Sequence, residues 1–304
     1  MMTGDKRTNF LTIIILVLLI LSALCVSAQK QQNELSIYSG GGLATFCFQP
    51  LIKNASSMGY GGDAGVGFTG FISPHWGIYI GAGAGIFNVK NNINNFIFIT
   101  PKQEDCEGYL YDLYTTLNGY KETHKAIFLS IPLMLQFQTK MGHSLNWRKN
   151  KRVGYYAMAG AKALFLFSNN YTSEITSLYN TAYYPEFDNW INSLPILGLG
   201  AFDGHNTSGK LKFGILAMVT FETGAKWRIG KNLFLYTGIY FDYGLNDPNK
   251  KKRKVPESFT WALPEEFENF TLLKFTNRIN LMTVGLKLRL ALMQPPIREP
   301  CHHY

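Results

Sequence analysis

Apolar and polar residues alternate with a period of two along most of this chain. Residues 211–246, LKFGILAMVTFETGAKWRIGKNLFLYTGIYFDYGLN, hold two such runs around the turn Ile229-Gly230-Lys231-Asn232. In the first run Leu211, Phe213, Ile215, Ala217, Val219, Phe221, Thr223, Ala225 and Trp227 share one face. Lys212, Gly214, Glu222, Gly224, Lys226 and Arg228 share the other. In the second run Leu233, Leu235, Thr237, Ile239, Phe241 and Tyr243 lie opposite Tyr236, Gly238, Tyr240 and Asp242. Alternation on both sides of a Gly-containing turn predicts a β-hairpin. Each run is roughly twice the ordinary strand length. A strand that crosses a bilayer at a tilt of about 45° needs about 9–11 residues.

The same pattern predicts strands over 34–46, 60–72, 76–88, 126–139, 152–165 and 278–292. With the hairpin this makes an even number, eight. In the strand at 76–88, Gly81, Gly83 and Gly85 recur at every second position. No helix or Gly-Lys-Ser/Thr follows, so they do not read as a phosphate loop. They make room in a strongly curved sheet. Pro132 removes a ladder donor and predicts a bulge or kink in its strand. The last strand carries Val284, Leu286, Leu288, Leu290 and Leu292 on one face, and Thr283, Gly285, Lys287, Arg289 and Ala291 on the other.

The connections differ in length by turns. Those after the second and sixth strands are short, and 140–151 is intermediate. Those at 89–125, 167–209 and 246–277 are long and rich in Asn, Pro and Gly. Segments 96–100 and 109–117 within the first of these fit either a strand extension or a short helix. Short turns on one side and long loops on the other are the habit of outer-membrane barrels. The expected fold is all-β: a single eight-stranded antiparallel transmembrane β-barrel with long extracellular loops and short periplasmic turns.

That fold assigns the faces. A Lys or Arg on the lipid side costs about 2–4 kcal/mol at the midplane, so the leucine face of the last strand turns outward. Lys162, Glu222, Lys226, Asp242, Lys287 and Arg289 then turn inward as a charged cluster. The interior of an eight-stranded barrel is just wide enough for side chains to fill it. These charges are therefore expected to plug the barrel and not to line a pore. Trp76, Trp147 and Trp227, with some of Tyr236, Tyr240 and Tyr243, are candidates for interfacial aromatic girdles. Trp190 and Trp261 are expected to pack within loops.

Composition agrees with this picture. Charged residues are 16%, aromatics 14%, and there are 29 glycines among 304 residues. A soluble domain carries about 25% charge. The N-terminus has the order of a secretory signal: Lys6 and Arg7, an apolar stretch over 11–26, then Val26-Ser27-Ala28. The expected divisions are a signal peptide at 1–28, the barrel at 29–293 and a periplasmic tail at 294–304. A lipoprotein reading of Cys25 is disfavoured because Leu24 precedes it. The mature chain keeps Cys47, Cys106 and Cys301, an odd count that argues against a disulfide framework. Cys47 and Cys106 pair only if both lie on one side of the membrane, and two free thiols fit equally. The net charge of +9 suits anionic lipid headgroups better than nucleic acid, which a secreted protein does not normally meet.

Residues 222–246, ETGAKWRIGKNLFLYTGIYFDYGLN, resemble the penultimate hairpin of outer-membrane β-barrel proteins of the Bacteroidetes type, related in architecture to the OmpA barrel. LSIYSGGGL at 35–43, FLSIPLMLQF at 128–137 and VGLKLRL at 284–290 are similar to the same family. The resemblance implies a barrel and no chemistry. The peptidoglycan-binding domain that often follows such barrels is expected to be absent, since little sequence follows the last strand.

The functional expectation is therefore a non-enzymatic outer-membrane protein with a structural or surface-interaction role. Its expected partners are outer-membrane lipid, lipopolysaccharide and an extracellular ligand held by the loops. The alternatives are a narrow porin-like channel for small solutes and, less favoured, an enzyme at the extracellular rim. For the enzyme, His124 and His205 near Ser168, Glu174 or Asp203 are the residues to consider, but none has a recognised spacing. His143 and the terminal His302-His303 beside Cys301 lack the clustered spacing of a metal site. No catalytic, cofactor or metal residue is assigned. The run Lys250-Lys251-Lys252-Arg253-Lys254 reads as a solvated loop or a contact for acidic surface polymers.

Overall fold

A computed structural model describes residues 33–49, 55–94, 96–139, 152–210, 214–247 and 278–294. The expected signal peptide, the residues after Gln294, Trp147, Trp261, Cys301, His143, the terminal histidines and the basic run at 250–254 lie outside the described residues.

The described chain is one antiparallel sheet. Its strands are β1 (Asn33–Gln49), β2 (Ala55–Phe71), β3 (Trp76–Ile93), β4 (Phe96–Glu104), β5 (Leu110–Asn118) and β6 (Tyr120–Gln138). Then come β7 (Val153–Tyr184), β8 (Asn189–Ile191), β9 (Gly200–Lys210), β10 (Ile215–Arg228), β11 (Leu233–Gly244) and β12 (Arg278–Gln294). Pairing runs from β7 through β10, β11, β12, β1, β2, β3 and β6, and so returns to β7. The path closes into a ring with no free edge, which removes the liability of unpaired strand edges. The remaining strands continue the sheet beyond the ring: β5, β8 and β9 pair with the upper part of β7, and β4 pairs with β5.

The alternation read from the sequence becomes two faces. On β6 every second residue is buried, while Ile127, Leu129, Ile131, Leu133 and Leu135 are 44–54% exposed on the outside. On β12, Val284, Leu286, Leu288 and Leu292 are likewise outward and exposed. Above this belt the outward residues turn polar: Asn88 and Asn92 on β3, Lys121 and Lys125 on β6, Asn170, Thr172, Glu174 and Thr176 on β7.

This change explains why 89–125 and 167–209 read as loops from sequence but are largely strand. Their inward residues keep the period, as Tyr171, Ser173 and Ile175 do. Their outward residues are hydrophilic, so the apolar signal fades although the ladder continues. The segments 96–100 and 109–117 are strand, not helix. A bulge opposite Ile127 and Phe128 leaves Phe167 unpaired in β7. The extra residue shifts the inward series from Lys162 and Leu164 to Asn169 and Tyr171. Of the bulge or kink expected at Pro132, no bulge forms, but the ladder to β3 is interrupted there. The β3–β6 register stays in step from Ile80↔Leu133 to Gly83↔Ser130, and only the pairs between them are missing.

The alternating glycines serve inward-pointing rings. A Cβ on Gly83 would come within 2.2 Å of the Tyr38 hydroxyl, one on Gly67 within 2.3 Å of the Tyr79 hydroxyl, and one on Gly238 within 2.3 Å of the Tyr156 hydroxyl. Tyr79 lies against the adjacent strand, while Tyr38 and Tyr156 each reach over one strand to the next, and a side chain at any of these glycines would displace the ring. Tyr236 and Tyr240, considered for an interfacial girdle, are buried inside the ring. Trp76 and Trp227 stay exposed, and Trp190 packs against Tyr114 and Tyr183 in the sheet beyond the ring.

Candidate functional site

The ring interior holds the six charged residues singled out from the sequence and adds Glu34 and Asp63. All eight are at most 8% exposed. Four are cations (Lys162, Lys226, Lys287, Arg289) and four are carboxylates (Glu34, Asp63, Glu222, Asp242), so the formal charges cancel. Buried charge is tolerated when paired and hydrogen-bonded. Seven of the eight form ion pairs, and the eighth, Arg289, is held by Gln136 and aromatic rings, with its Nε and one terminal nitrogen lacking a partner among the described residues.

At one end Lys226 Nζ reaches Glu34 at 2.6 Å and donates to Gln138 Oε1 at 2.8 Å. The Tyr236 hydroxyl donates to the other oxygen of Glu34. In the middle Lys287 lies 3.3 Å from Glu222, which also accepts from the Tyr156 hydroxyl at 2.9 Å. Arg289 donates to Gln136 at 3.3 Å, and its guanidinium carbon sits 4.1, 5.1 and 5.4 Å from the ring centres of Tyr236, Tyr79 and Tyr156. Such ring contacts favour a desolvated cation. Towards the other end Lys162 meets Asp242 at 2.7 Å and Asp63 at 3.7 Å. Thr283 and Ser130 donate to these two carboxylates.

None of these pairs joins neighbouring strands. Lys226 on β10 meets Glu34 on β1, Lys162 on β7 meets Asp242 on β11, and Lys287 on β12 meets Glu222 on β10. Each bridge therefore crosses the interior and ties separated walls together. A cavity of about 30 Å³ beside Asp63, Lys162, Asp242 and Tyr240 has room for a water or two.

Beyond Lys162 an apolar layer follows, with Phe46, Phe87, Phe128, Leu164, Leu216, Met218 and Leu281. Past it lies a second polar group that sequence reasoning missed. Glu122 accepts from the Tyr120 hydroxyl and contacts His124 Nε2, and all three side chains are buried. Asn91 lies across from Glu122, and Asn169 lies one layer below His124. The amide atoms of Asn91 and Asn169, and His124 Nδ1, have no hydrogen-bond partner among the described residues.

His124, considered for an enzyme at the rim, is thus a buried interior residue. Glu174, considered as its neighbour, is on the outward face. Ser168 pairs with Ile127, and Asp203 pairs with Ser177 further up β7. The period-two count already put Glu122 and His124 on the face of Met134 and Gln136, and that was the available signal. Among the described residues no group of three or more His, Cys, Asp or Glu is placed to hold a metal ion. Cys47 and Cys106 are both free thiols, and Cys106 is exposed at the β4–β5 turn.

The chain aligns with several solved outer-membrane proteins at low similarity. Neisserial surface protein A aligns over 84% of this chain and 95% of its own, with 9% identity and a TM-score of 0.32. OprG from Pseudomonas aeruginosa aligns over 86% and 96%, with 8% identity and a TM-score of 0.30. Ail, the attachment invasion locus protein of Yersinia pestis, aligns over 86% and 99%, with 10% identity and a TM-score of 0.27. No protein-family profile and no curated protein matches the sequence. What the molecule does must therefore be argued from its own residues.

Proposed function

We propose that the ring is an eight-stranded transmembrane barrel of a bacterial outer membrane. It is closed to solutes by its charged interior, and it carries the sheet of β4, β5, β8, β9 and upper β7 outside as an interaction surface. One observation carries this reading: apolar residues stand exposed around the ring while the charges are turned inward, seven of the eight in ion pairs. Monomeric soluble proteins rarely expose contiguous apolar patches beyond a few hundred Å². An outward band about 25 Å tall is what a bilayer requires of a barrel. The cross-wall salt bridges and the apolar layer above them put side chains across the interior, which supports a plugged barrel over a channel. The sheet above the belt, with Trp190 between Tyr114 and Tyr183, suits a rigid surface-contact role.

Protein folded in detergent is expected to run faster on a gel before boiling than after. In planar bilayers it is expected to give no steady conductance, and a reproducible open level would replace the plugged reading by the channel. On intact cells in a Cys47→Ser background, a membrane-impermeant maleimide is expected to label Cys106, with a further Cys106→Ser abolishing the signal. Labelling only after cell disruption would reverse the orientation.

A further inference from the structure

We propose that the outward face of β3 and β6, directly above the apolar belt, binds the phosphate groups of an acylated glycolipid in the outer leaflet. Lys90, Lys121 and Lys125 are exposed there. Lys90 pairs with Thr123, so it lies diagonal to both Lys121 and Lys125, at about 7–8 Å by sheet geometry. Lys210 on β9 pairs with Asn170, which itself pairs with Lys125. Among the described residues none of these lysines has a salt-bridge partner. The one carboxylate in the row is Glu174, across from Lys121.

The lysines within the ring wall, Lys162, Lys226 and Lys287, are instead turned inward and paired. The outward trio concentrates three positive charges on one exposed face without a salt-bridge partner among the described residues, and so offers a site for an anion from outside. The residues below it fix which kind. Ile86, Ile127 and Leu129 are exposed and apolar immediately beneath the lysines on the same two strands. A ligand with phosphates above and acyl chains below matches both halves, and a soluble phosphate matches only one. Lipopolysaccharide has that chemistry.

This inference rests on the membrane reading, and one experiment separates the two. Wild type and the triple variant K90Q/K121Q/K125Q are inserted into phosphatidylcholine vesicles with and without lipopolysaccharide, and insertion and retained glycolipid are measured separately. Both proteins are expected to insert equally into phosphatidylcholine, since all three positions are solvent-facing. Wild type is expected to retain lipopolysaccharide in a salt-sensitive way, and the triple variant to bind about a hundredfold more weakly, the scale of three lysines at an anionic surface. Dephosphorylated glycolipid is expected to lose the same factor, and Lys231→Gln at the opposite rim to change nothing. Equal retention by wild type and the triple variant, or by phosphorylated and dephosphorylated lipid, overturns this inference alone. Failure of wild type to insert overturns the membrane reading and this inference with it.

Discussion

The two polar groups inside the ring are built on opposite principles. Below the apolar layer, cations and carboxylates are equal in number and come from strands far apart in sequence, as Lys226 and Glu34 do. Above it, Tyr120, Glu122 and His124 are second neighbours on one strand, and the contacts that join these three run along β6. The lower network depends on closure: it exists only when every wall of the ring is in place. The upper group is a local feature that the ring merely encloses. Perturbing the first should therefore be felt globally, and perturbing the second should stay near its site.

The largest effect is expected from Lys226→Met. It leaves Glu34 buried with the Tyr236 hydroxyl as its remaining close donor. Breaking a buried pair by removing one partner costs about 3–5 kcal/mol, read here as a lower urea midpoint for unfolding in vesicles. Removing both charges with Glu34→Leu in addition is expected to restore most of the loss. A double variant no better than Lys226→Met would mean that the pair does not act as a unit, and the contrast with the upper group would lose its basis.

Next comes Gly83→Val, which tests whether the ring wall tolerates change any better than its charges do. The added carbons meet the Tyr38 hydroxyl and Ser130. Overpacking of this kind costs about 1–3 kcal/mol. Tyr38→Phe in the same chain removes the clashing oxygen and is expected to recover part of it. No recovery would show that the wall backbone, not the ring of Tyr38, sets the limit.

The sequence revealed the ring far better than what stands above it, for a reason visible in β7. Its lower half alternates Ala157, Ala159, Ala161 and Ala163 with Met158, Lys162 and Leu164, the first set turned outward and the second into a packed interior. In its upper half Asn170, Thr172, Glu174 and Thr176 face outward beside inward Ser173 and Asn169. The inward face then mixes polar residues with apolar Tyr171 and Ile175 while these outward residues are all polar, so the apolar alternation weakens. The charged cluster was legible because a single Lys or Glu in an apolar alternating run can only point inward. Glu34 and Asp63 were passed over because their strands carry so many small residues, such as Ser36 and Gly62, that a lone acid stands out less. Which cation meets which carboxylate was beyond the sequence, since the partners face one another across the ring and no spacing along the chain encodes that.

A smaller effect is expected from Glu122→Gln. The amide still accepts from Tyr120, so the loss is about 1 kcal/mol, the scale of one hydrogen bond. It should appear as faster amide exchange around 120–124 with an unchanged urea midpoint for the ring. A global loss as large as that of Lys226→Met would erase the distinction between a closure network and a local contact.

The smallest effect lies outside both groups, at the β4–β5 turn. Slight desolvation pushes the Asp105 carboxyl up, but N–H donation from Tyr109 and Glu107, with the Tyr184 hydroxyl, outweighs it and holds the carboxyl below its ordinary range. A carboxyl lowered in the folded state contributes stability that is fully present above its unfolded value, about pH 3.9, and is lost as pH falls through the folded one. The amide resonances of Glu107 and Tyr109 are therefore expected to hold steady on acidification to about pH 4 and to move together below it. In Asp105→Asn both should be insensitive to pH. Because the turn is solvent-facing, its titration should leave the ring untouched. If the ring's unfolding midpoint followed the same titration, the outer sheet and the barrel would have to be one cooperative unit, and the local behaviour assigned to everything above the apolar layer would fail.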